Sequence, residues 1–384
     1  MFINRKIFIS LLCLGLLTGC WDQAELPDYG FVQSIAIEYK KDRFKLTTQF
    51  YKPAAKIASS GGGSDVSFLN IATEGDTVFE AIRDITTHLG RKATWGHMRF
   101  ILIDEKTAKK VPLNEVLEFF YRDHEPRILT GIALTKGEAP KYLKTKPHVE
   151  NTISQQLNEI SKAAGEHSGK TYPATLFTLG KQMLSEVGIA YVPYIKEEKT
   201  AKDSVVVAGL AVLKDGKLKK IFTPQETKYL MIGLNELKGA IIEVPCGKDA
   251  KDKAETFEVV TSSTNWKMHT SKNQIQYDGK VEMKVSIGEL RCSSALDSTQ
   301  IEKLNNRVAA VIEMKLSQLL KKTQKERLDV LGVGNELYRH KTKKWQSIKQ
   351  DWDKLYPKVK FNVDTKVNII NSGIDSGEPF KVGG

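Results

Sequence analysis

Apolar residues recur along this chain in two different periods, and the changes of period mark out its elements. In 30–38 (GFVQSIAIE) and 44–51 (FKLTTQFY), apolar side chains fall near every second position, the period of a half-buried strand. Lys41-Asp42 separates the two runs, so together they predict a β-hairpin. Val78, Ile82, Ile85 and Leu89 instead share one helical face, and Gly90 closes the series. Trp95 to Asp104 reads as a buried strand, Leu113 to Tyr121 as a helix, and Ile128 to Leu134 as a further short strand.

The same alternation continues beyond a charged stretch at 196–203 (KEEKTAKD) that has no apolar period. Val205 to Leu213 is a strand too apolar for a solvent-facing position, and Asp215-Gly216 turns it into Leu218 to Phe222. A helix over Thr227 to Leu234 precedes strands at 240–244, 256–261 and 281–290. The longest helix is expected over 297–328, where Ile301, Leu304, Val308, Val311, Ile312, Leu316, Leu319 and Leu320 make one stripe. Asp297 with Gln300, or Thr299 with Glu302, can cap its start. Val359, Phe361, Val363, Thr365, Val367 and Ile369 form a final alternating strand, and Gly373 and Gly377 end the fold. The fold class is therefore α+β, a mixed α/β chain of more than one domain with helices packed on each sheet. In its C-terminal domain the long amphipathic helix is expected against an antiparallel sheet. The charged stretch divides an N-terminal mixed region, 20–197, from a C-terminal α/β domain, 204–374. A further split near 135–150 is left open.

The first residues do not belong to this pattern. Asn4-Arg5-Lys6 gives a positive start, Ile7 to Leu17 an apolar run, and Leu17-Thr18-Gly19-Cys20 a small-residue close. That order is a secretory signal, and eleven apolar residues fall short of the ~20 that span a bilayer. Thr18-Gly19 before Cys20 resembles a bacterial lipobox, in which the cysteine thiol receives diacylglycerol and cleavage leaves it as the first residue. Residues 1–19 are accordingly read as a lipoprotein signal peptide. About 365 residues remain, and the 384-residue chain as a whole is 41% hydrophobic and 27% charged, a composition that supports a packed core. The net charge of +12 could serve nucleic acid, but a lipobox puts the chain on the wrong side of a membrane for that. Anionic headgroups or wall polymers are the more natural counterpart, and scattered lysines that only keep the chain soluble are an equal alternative. Of four cysteines, Cys13 lies in the signal and Cys20 would be acylated. Cys246 and Cys292 are left, too sparse for a disulfide scaffold; free thiols are favoured, with a bridge as the alternative.

No motif assigns chemistry. Ser168-Gly169-Lys170-Thr171 resembles the end of a phosphate loop, but Ala164 stands where the first glycine belongs and no strand precedes it. The glycines of Ser59 to Ser64 have no lysine at the right spacing, and the stretch is read as a plain loop. Gly332-Val333-Gly334 begins like a dinucleotide fingerprint but has Leu337 at the third glycine, and is read as a helix end. His88, His97, His124, His148, His167, His269 and His340 show no metal-ligand spacing. Cys246 after Pro245 is read as structural rather than nucleophilic. The basic run Arg339 to Lys344, beside Trp345 and Trp352, reads as a solvated helix face with both indoles turned to the core. No catalytic residue, cofactor site or metal site is assigned, and an enzyme is not expected.

Several of these stretches together resemble the Ger(x)C family of spore germination lipoproteins. They are Gly19-Cys20-Trp21-Asp22 with Glu25-Leu26 and Gly30-Phe31-Val32, then Trp95-Gly96-His97-Met98-Arg99, then Gly209-Leu210-Ala211-Val212-Leu213-Lys214. Asp329-Val330-Leu331-Gly332-Val333-Gly334, followed by Trp345, Trp352 and the last strand, completes the likeness. The family has phenylalanine or leucine where Val333 stands. The resemblance implies the C subunit of a nutrient germinant receptor, needed for the germination response and acting without catalysis alongside polytopic A and B subunits. It implies attachment to the extracytoplasmic face of the spore inner membrane through Cys20, as an N-palmitoyl, S-diacylglycerol cysteine after cleavage at Gly19-Cys20. A free-standing solute-binding lipoprotein is the alternative reading, and a cell-wall enzyme a weaker third.

Overall fold

A computed structural model of the protein describes residues 28–52, 68–198, 204–247, 253–271, 274–293 and 297–371. The signal segment with Cys20, the glycine loop at 59–64, most of the charged stretch before 204, and Gly373 and Gly377 lie outside them.

The first hairpin is β1 (Tyr29–Lys40) and β2 (Arg43–Tyr51), joined by Lys41 and Asp42 at φ 52° and 59°. Two left-handed residues match the twist of the flanking strands. After β3 (Phe68–Gly75) comes α1 (Val78–Leu89), whose N-cap Thr77 hydroxyl accepts the Glu80 N–H at 3.1 Å and whose C-cap is Gly90 at φ 65°. Next are β4 (Lys92–Thr94), β5 (Phe100–Asp104), α2 (Glu105–Lys110), α3 (Leu113–Val116), α4 (Glu118–Arg122) and β6 (Gly131–Thr135). The chain then passes a short turn of 3₁₀ helix at Ala139–Lys144, α5 (Ile153–Ala163), β7 (Ala174–Thr175) and α6 (Leu176–Met183). β8 (Ile189–Glu197), β9 (Val205–Lys214) and β10 (Lys217–Phe222) complete a sheet ordered β10-β9-β8-β6-β5-β1-β2-β3, with β4 beside β1 and β7 beside β6. β1, β5, β6 and β8 run parallel, and the helices make the crossovers that parallel pairing demands.

Period-two alternation sends the residues of this sheet to two faces. Ile101, Ile103, Ala190, Val192, Ala211 and Leu213 face a core covered by α1, α3, α4 and α6. Phe100, Leu102 and Ala133 face the other way, under α5 and the 3₁₀ turn, while Ile189, Tyr191, Leu210 and Val212 face a third core.

That third core is shared with the rest of the chain. It comprises α7 (Pro224–Gly233), β11 (Ile241–Pro245), β12 (Ala254–Thr270), β13 (Ile275–Glu289), α8 (Ser298–Lys325), α9 (Val333–His340), α10 (Thr342–Ile348), α11 (Trp352–Leu355) and β14 (Lys360–Asn371). The second sheet is ordered β11-β12-β13-β14. Three of its strands are antiparallel, but β14 joins β13 in parallel, because α8 carries the chain back along the sheet before it re-enters. Helix α8 turns Leu304, Val308, Ile312, Leu316, Leu319 and Leu320 inward, with the Asp297 carboxylate accepting the Gln300 N–H at 2.8 Å at its start. Two of its polar side chains close the outer edge of β14. Glu313 accepts the Thr365 N–H at 2.8 Å and Asn305 the Ile369 N–H at 2.9 Å, so that edge offers less to a foreign strand.

Several expectations change. The strand expected from Trp95 starts at Phe100, and the one expected from Ile128 starts at Gly131. Ile128 and Leu129 occupy a turn closed by the Thr130 N–H on the Arg127 carbonyl, and they are 59% and 70% exposed. An apolar pair flanking a strand carries no sign in its sequence that separates it from the strand itself. β12 and β13 are 17 and 15 residues long, well beyond the apolar segments expected, because their outer halves alternate with charged residues. The division placed at the charged stretch is not among the changed expectations: that stretch connects β8 to β9, which pair in one sheet. Gly332, at φ 69°, opens α9 instead of ending a helix. Cys246 and Cys292 are bridged, with Cα atoms 5.8 Å apart, where free thiols were favoured. They follow β11 and β13, both neighbours of β12, a proximity that only strand order reveals.

Leu316 is fully buried in the shared core. Leu316→Ala should cost about 2–5 kcal/mol in urea unfolding, and a variant as stable as the parent would place the helix stripe elsewhere. The bridge closes a separation of 46 residues. In the loop-entropy description that is worth roughly 4 kcal/mol, so reductant should lower the unfolding midpoint of the parent and leave that of Cys292→Ser unchanged.

Candidate functional site

The residues carrying the sequence resemblance are scattered along the chain, but the fold gathers the C-terminal set around one carboxylate. Asp329 is 3% exposed and accepts the backbone N–H of Val333 at 2.9 Å and of Gly334 at 2.8 Å, the first residues of α9. It also accepts the Trp352 indole N–H at 3.1 Å. Three donors and a helix N-terminus favour the ionised form. Burial outweighs them and pushes the Asp329 carboxyl up from 3.8 to about 6. Gly332 supplies the left-handed residue at the turn. Gly334 is glycine for want of room, since a Cβ there would sit 2.5 Å from Val187 and 2.8 Å from Trp345. Trp345 and Trp352 meet edge to face with ring centres 5.4 Å apart, both buried.

This knot is fastened to the first sheet. The Tyr191 hydroxyl donates to the Val330 carbonyl, and burial keeps that phenol protonated by pushing its pKa well up. The Asn335 side chain accepts the Val187 N–H at 3.2 Å, and the Trp345 indole donates to Glu186 at 2.8 Å. The Asp329 to Trp352 segment is thus the joint between the two sheets.

The other stretches also find structural work. Trp95 is buried edge-on against Phe119 and Phe120, its backbone N–H donating to Glu125 at 3.0 Å, while His97 meets the ring of Phe31 at 5.4 Å. The Gly209 N–H donates to the Lys170 carbonyl at 2.7 Å, and Thr171 donates to the Gly209 carbonyl at 3.1 Å. The phosphate-loop lookalike at 168–171 is therefore a brace for β9, with the Ser168 hydroxyl turned back onto Ala164. Lys343 is exposed and Lys344 donates to the Ser271 carbonyl at 2.6 Å, while the two indoles behind that basic run face inward as expected. The histidines do not converge; among the described residues no group of three His, Cys, Asp or Glu side chains could hold a metal ion.

A cleft of about 730 Å³ lies between α7, α8 and the β11–β12 edge, beside the disulfide. Lys228 lines it, largely buried, with its ammonium on the Ile241 carbonyl at 2.5 Å and its pKa lowered by burial. Glu243, Glu289, Arg291 and Lys315 give the rim mixed charge. Sequence reasoning missed this cleft because its lining comes from five separate elements and the loop after β13.

Two family descriptions match the chain, "Spore germination protein N-terminal domain" over residues 22–197 and "Spore germination B3/ GerAC like, C-terminal" over 208–373. The chain belongs to the Ger(x)C family of spore germination proteins. The two matched segments of this family meet between β8 and β9. Among relatives from Bacillus subtilis (strain 168), it is 26% identical to "Spore germination protein KC" over 95% of both chains. It is 23% identical to "Spore germination protein B3" over 96% of this chain and 98% of the relative. The crystal structure of the GerBC protein superposes with a TM-score of 0.56 over 88% of this chain and 97% of its own, at 20% identity, and so shares the Ger(x)C fold.

Asp329 gives the joint a pH signature. Its folded carboxyl keeps a proton up to about pH 6, whereas the unfolded one releases it near 3.8. The folded state binds more protons in that window, so this contribution is full below it and lost as pH rises through it, on the order of 3 kcal/mol. Asp329→Asn cannot titrate. Across pH 3.5–7 the stability difference between parent and variant should therefore drift against the parent as pH rises; a flat difference would contradict the assignment.

Proposed function

We propose that this Ger(x)C protein is the lipid-anchored C subunit of a spore germinant receptor, needed for the germination response to nutrients. It acts by assembly with polytopic A and B subunits, without catalysis, on the extracytoplasmic face of the spore inner membrane. The observation that carries the anchoring is the lipobox-like Leu17-Thr18-Gly19-Cys20, placed eight residues before the first described residue, Asp28. A folded body that matches germination proteins over nearly their whole length supports the receptor role. Among the described residues no helix is long and apolar enough to cross a membrane; in this reading the Cys20 lipid attaches the body to the surface. The shared core between the two sheets weighs against the alternative of a solute-binding protein, which needs two bodies free to close on a ligand.

Cys20→Ala tests the anchor. The variant should either leave the membrane fraction or accumulate as uncleaved precursor, and in both cases the nutrient response should fall. A variant processed and fractionated like the parent would refute lipidation at this residue. Loss of the response with lipidation intact in A- or B-subunit deletions would tie the protein to those partners; an unaltered response would separate it from them.

A further inference from the structure

The turn at Arg127–Thr130 is built with the wrong residues for a solvated tip. Turn centres favour Gly, Asn, Asp, Pro or Ser, yet here they are Ile128 and Leu129, exposed by 59% and 70%. The turn is held rigidly in this pose. The Phe177 N–H donates to the Ile128 carbonyl at 2.8 Å, the Leu176 N–H to the Thr130 carbonyl at 3.0 Å, and the Thr130 hydroxyl to the Met98 carbonyl at 3.2 Å. The two side chains are therefore presented, not merely uncovered. Phe177, 54% exposed, adjoins them, and Leu184, 89% exposed, lies two helical turns further along the same side of α6. Tyr121 packs on Gly180 between those two, at 3.1 Å from a Cβ placed there. Arg127 of the turn itself and Lys181 of α6 are exposed cations on the same two elements; Lys92 lies 4.0 Å from Glu125, which also accepts the Trp95 backbone N–H, and Asp123 accepts the Glu125 N–H.

The position of the patch says what it meets. Strand β1 begins at Tyr29, and Tyr29 pairs with Lys92 of β4, whose ammonium lies 4.0 Å from Glu125. The patch thus sits at the edge of the sheet where the described chain starts. Eight residues separate Asp28 from Cys20, a length that spans at most about 28 Å. Resting on the reading of Cys20 as the lipid anchor, we infer that the Ile128-Leu129 turn, with Phe177 and Leu184, is a second, interfacial contact with the bilayer. Apolar tips enter the acyl boundary while Arg127 and Lys181 meet anionic headgroups. A single tether leaves a body free to rotate; a second contact fixes which face of the sheet looks away from the membrane.

The test uses the full lipidated chain reconstituted in vesicles of equal parts phosphatidylglycerol and phosphatidylcholine. Leu129→Cys carries an environment-sensitive fluorophore, since Cys246 and Cys292 are joined and Cys20 is acylated. The comparison site is Lys106→Cys, exposed on α2 at the opposite end of β5, roughly 20 Å away. The probe at 129 should shift to shorter wavelength and be quenched several-fold by brominated lipid, and the probe at 106 should do neither. Phosphatidylcholine alone, or Arg127→Glu, should weaken both signals at 129. If the probe at 129 stays in water while the protein remains anchored, the inference fails and the anchor stands. If the protein does not associate with vesicles at all, both fail. If the probe is buried only when the polytopic subunits are co-reconstituted, the patch docks protein and the bilayer contact is refuted.

Discussion

A carboxylate withdrawn from water on three N–H donors organises the centre of this molecule. Asp329 gathers the start of α9 and the indole of Trp352, and Trp352 in turn seats Trp345 and Tyr356. Without an acceptor at this point the N–H groups of Val333 and Gly334 would be buried with nothing to bond, and each such orphan costs more than a made bond contributes. The arrangement also explains the spacing of its own sequence: an acid, a glycine for the turn, a glycine where no side chain fits, and two indoles that close over them. Because Tyr191 and Val187 bind the same knot from the first sheet, the local motif is also a long-range joint.

That joint sits on a core that belongs to neither sheet alone. Strands β8 and β9 send alternate residues to opposite faces, and one face is completed by α7, α8 and the second sheet. Breaking the two halves apart would expose a large apolar surface, so hydrophobic burial holds them as one body. A body of this kind transmits a contact at one edge to the rest with little internal give. The mixed-charge cleft beside the disulfide, with its buried Lys228, is braced by α8 on one side and by the covalent link on the other.

The two edges of the first sheet differ in character. At the carboxyl ends of its parallel strands Glu38 and Asp104 are buried beside Lys40, and burial raises both acids. At the amino ends the chain presents Ile128 and Leu129 on a pinned turn. An apolar tip costs solubility unless something covers it, and the start of β1, the first described strand, lies at the same end of the sheet.

The sequence by itself determined the elements whose hydrophobic period is long and clean. The β1–β2 hairpin, α1, the Val205–Phe222 hairpin, α8 with its Asp297 cap, and β14 could all be read, because a local period reports which face each element buries. The inward direction of Trp345 and Trp352 followed from the same reasoning, and the C-terminal residues of the family resemblance proved to share one knot. The tertiary structure alone decided what depends on neighbours. Pairing set β9 and β10 beside β8 across the charged stretch, and α8 returned the chain so that β14 entered parallel. Strand order brought Cys246 to Cys292 from 46 residues away. Ile128 and Leu129 are indistinguishable in composition from the strand they precede; only the hydrogen bonds from Phe177 and Thr130 turn them outward. α5, α6 and β8 escaped notice because their buried faces include Ser154, Gln156 and Pro193 or are too short to show a period. A one-dimensional pattern records which residues avoid water, whereas the choice of what covers them is made by contacts between segments far apart in the chain.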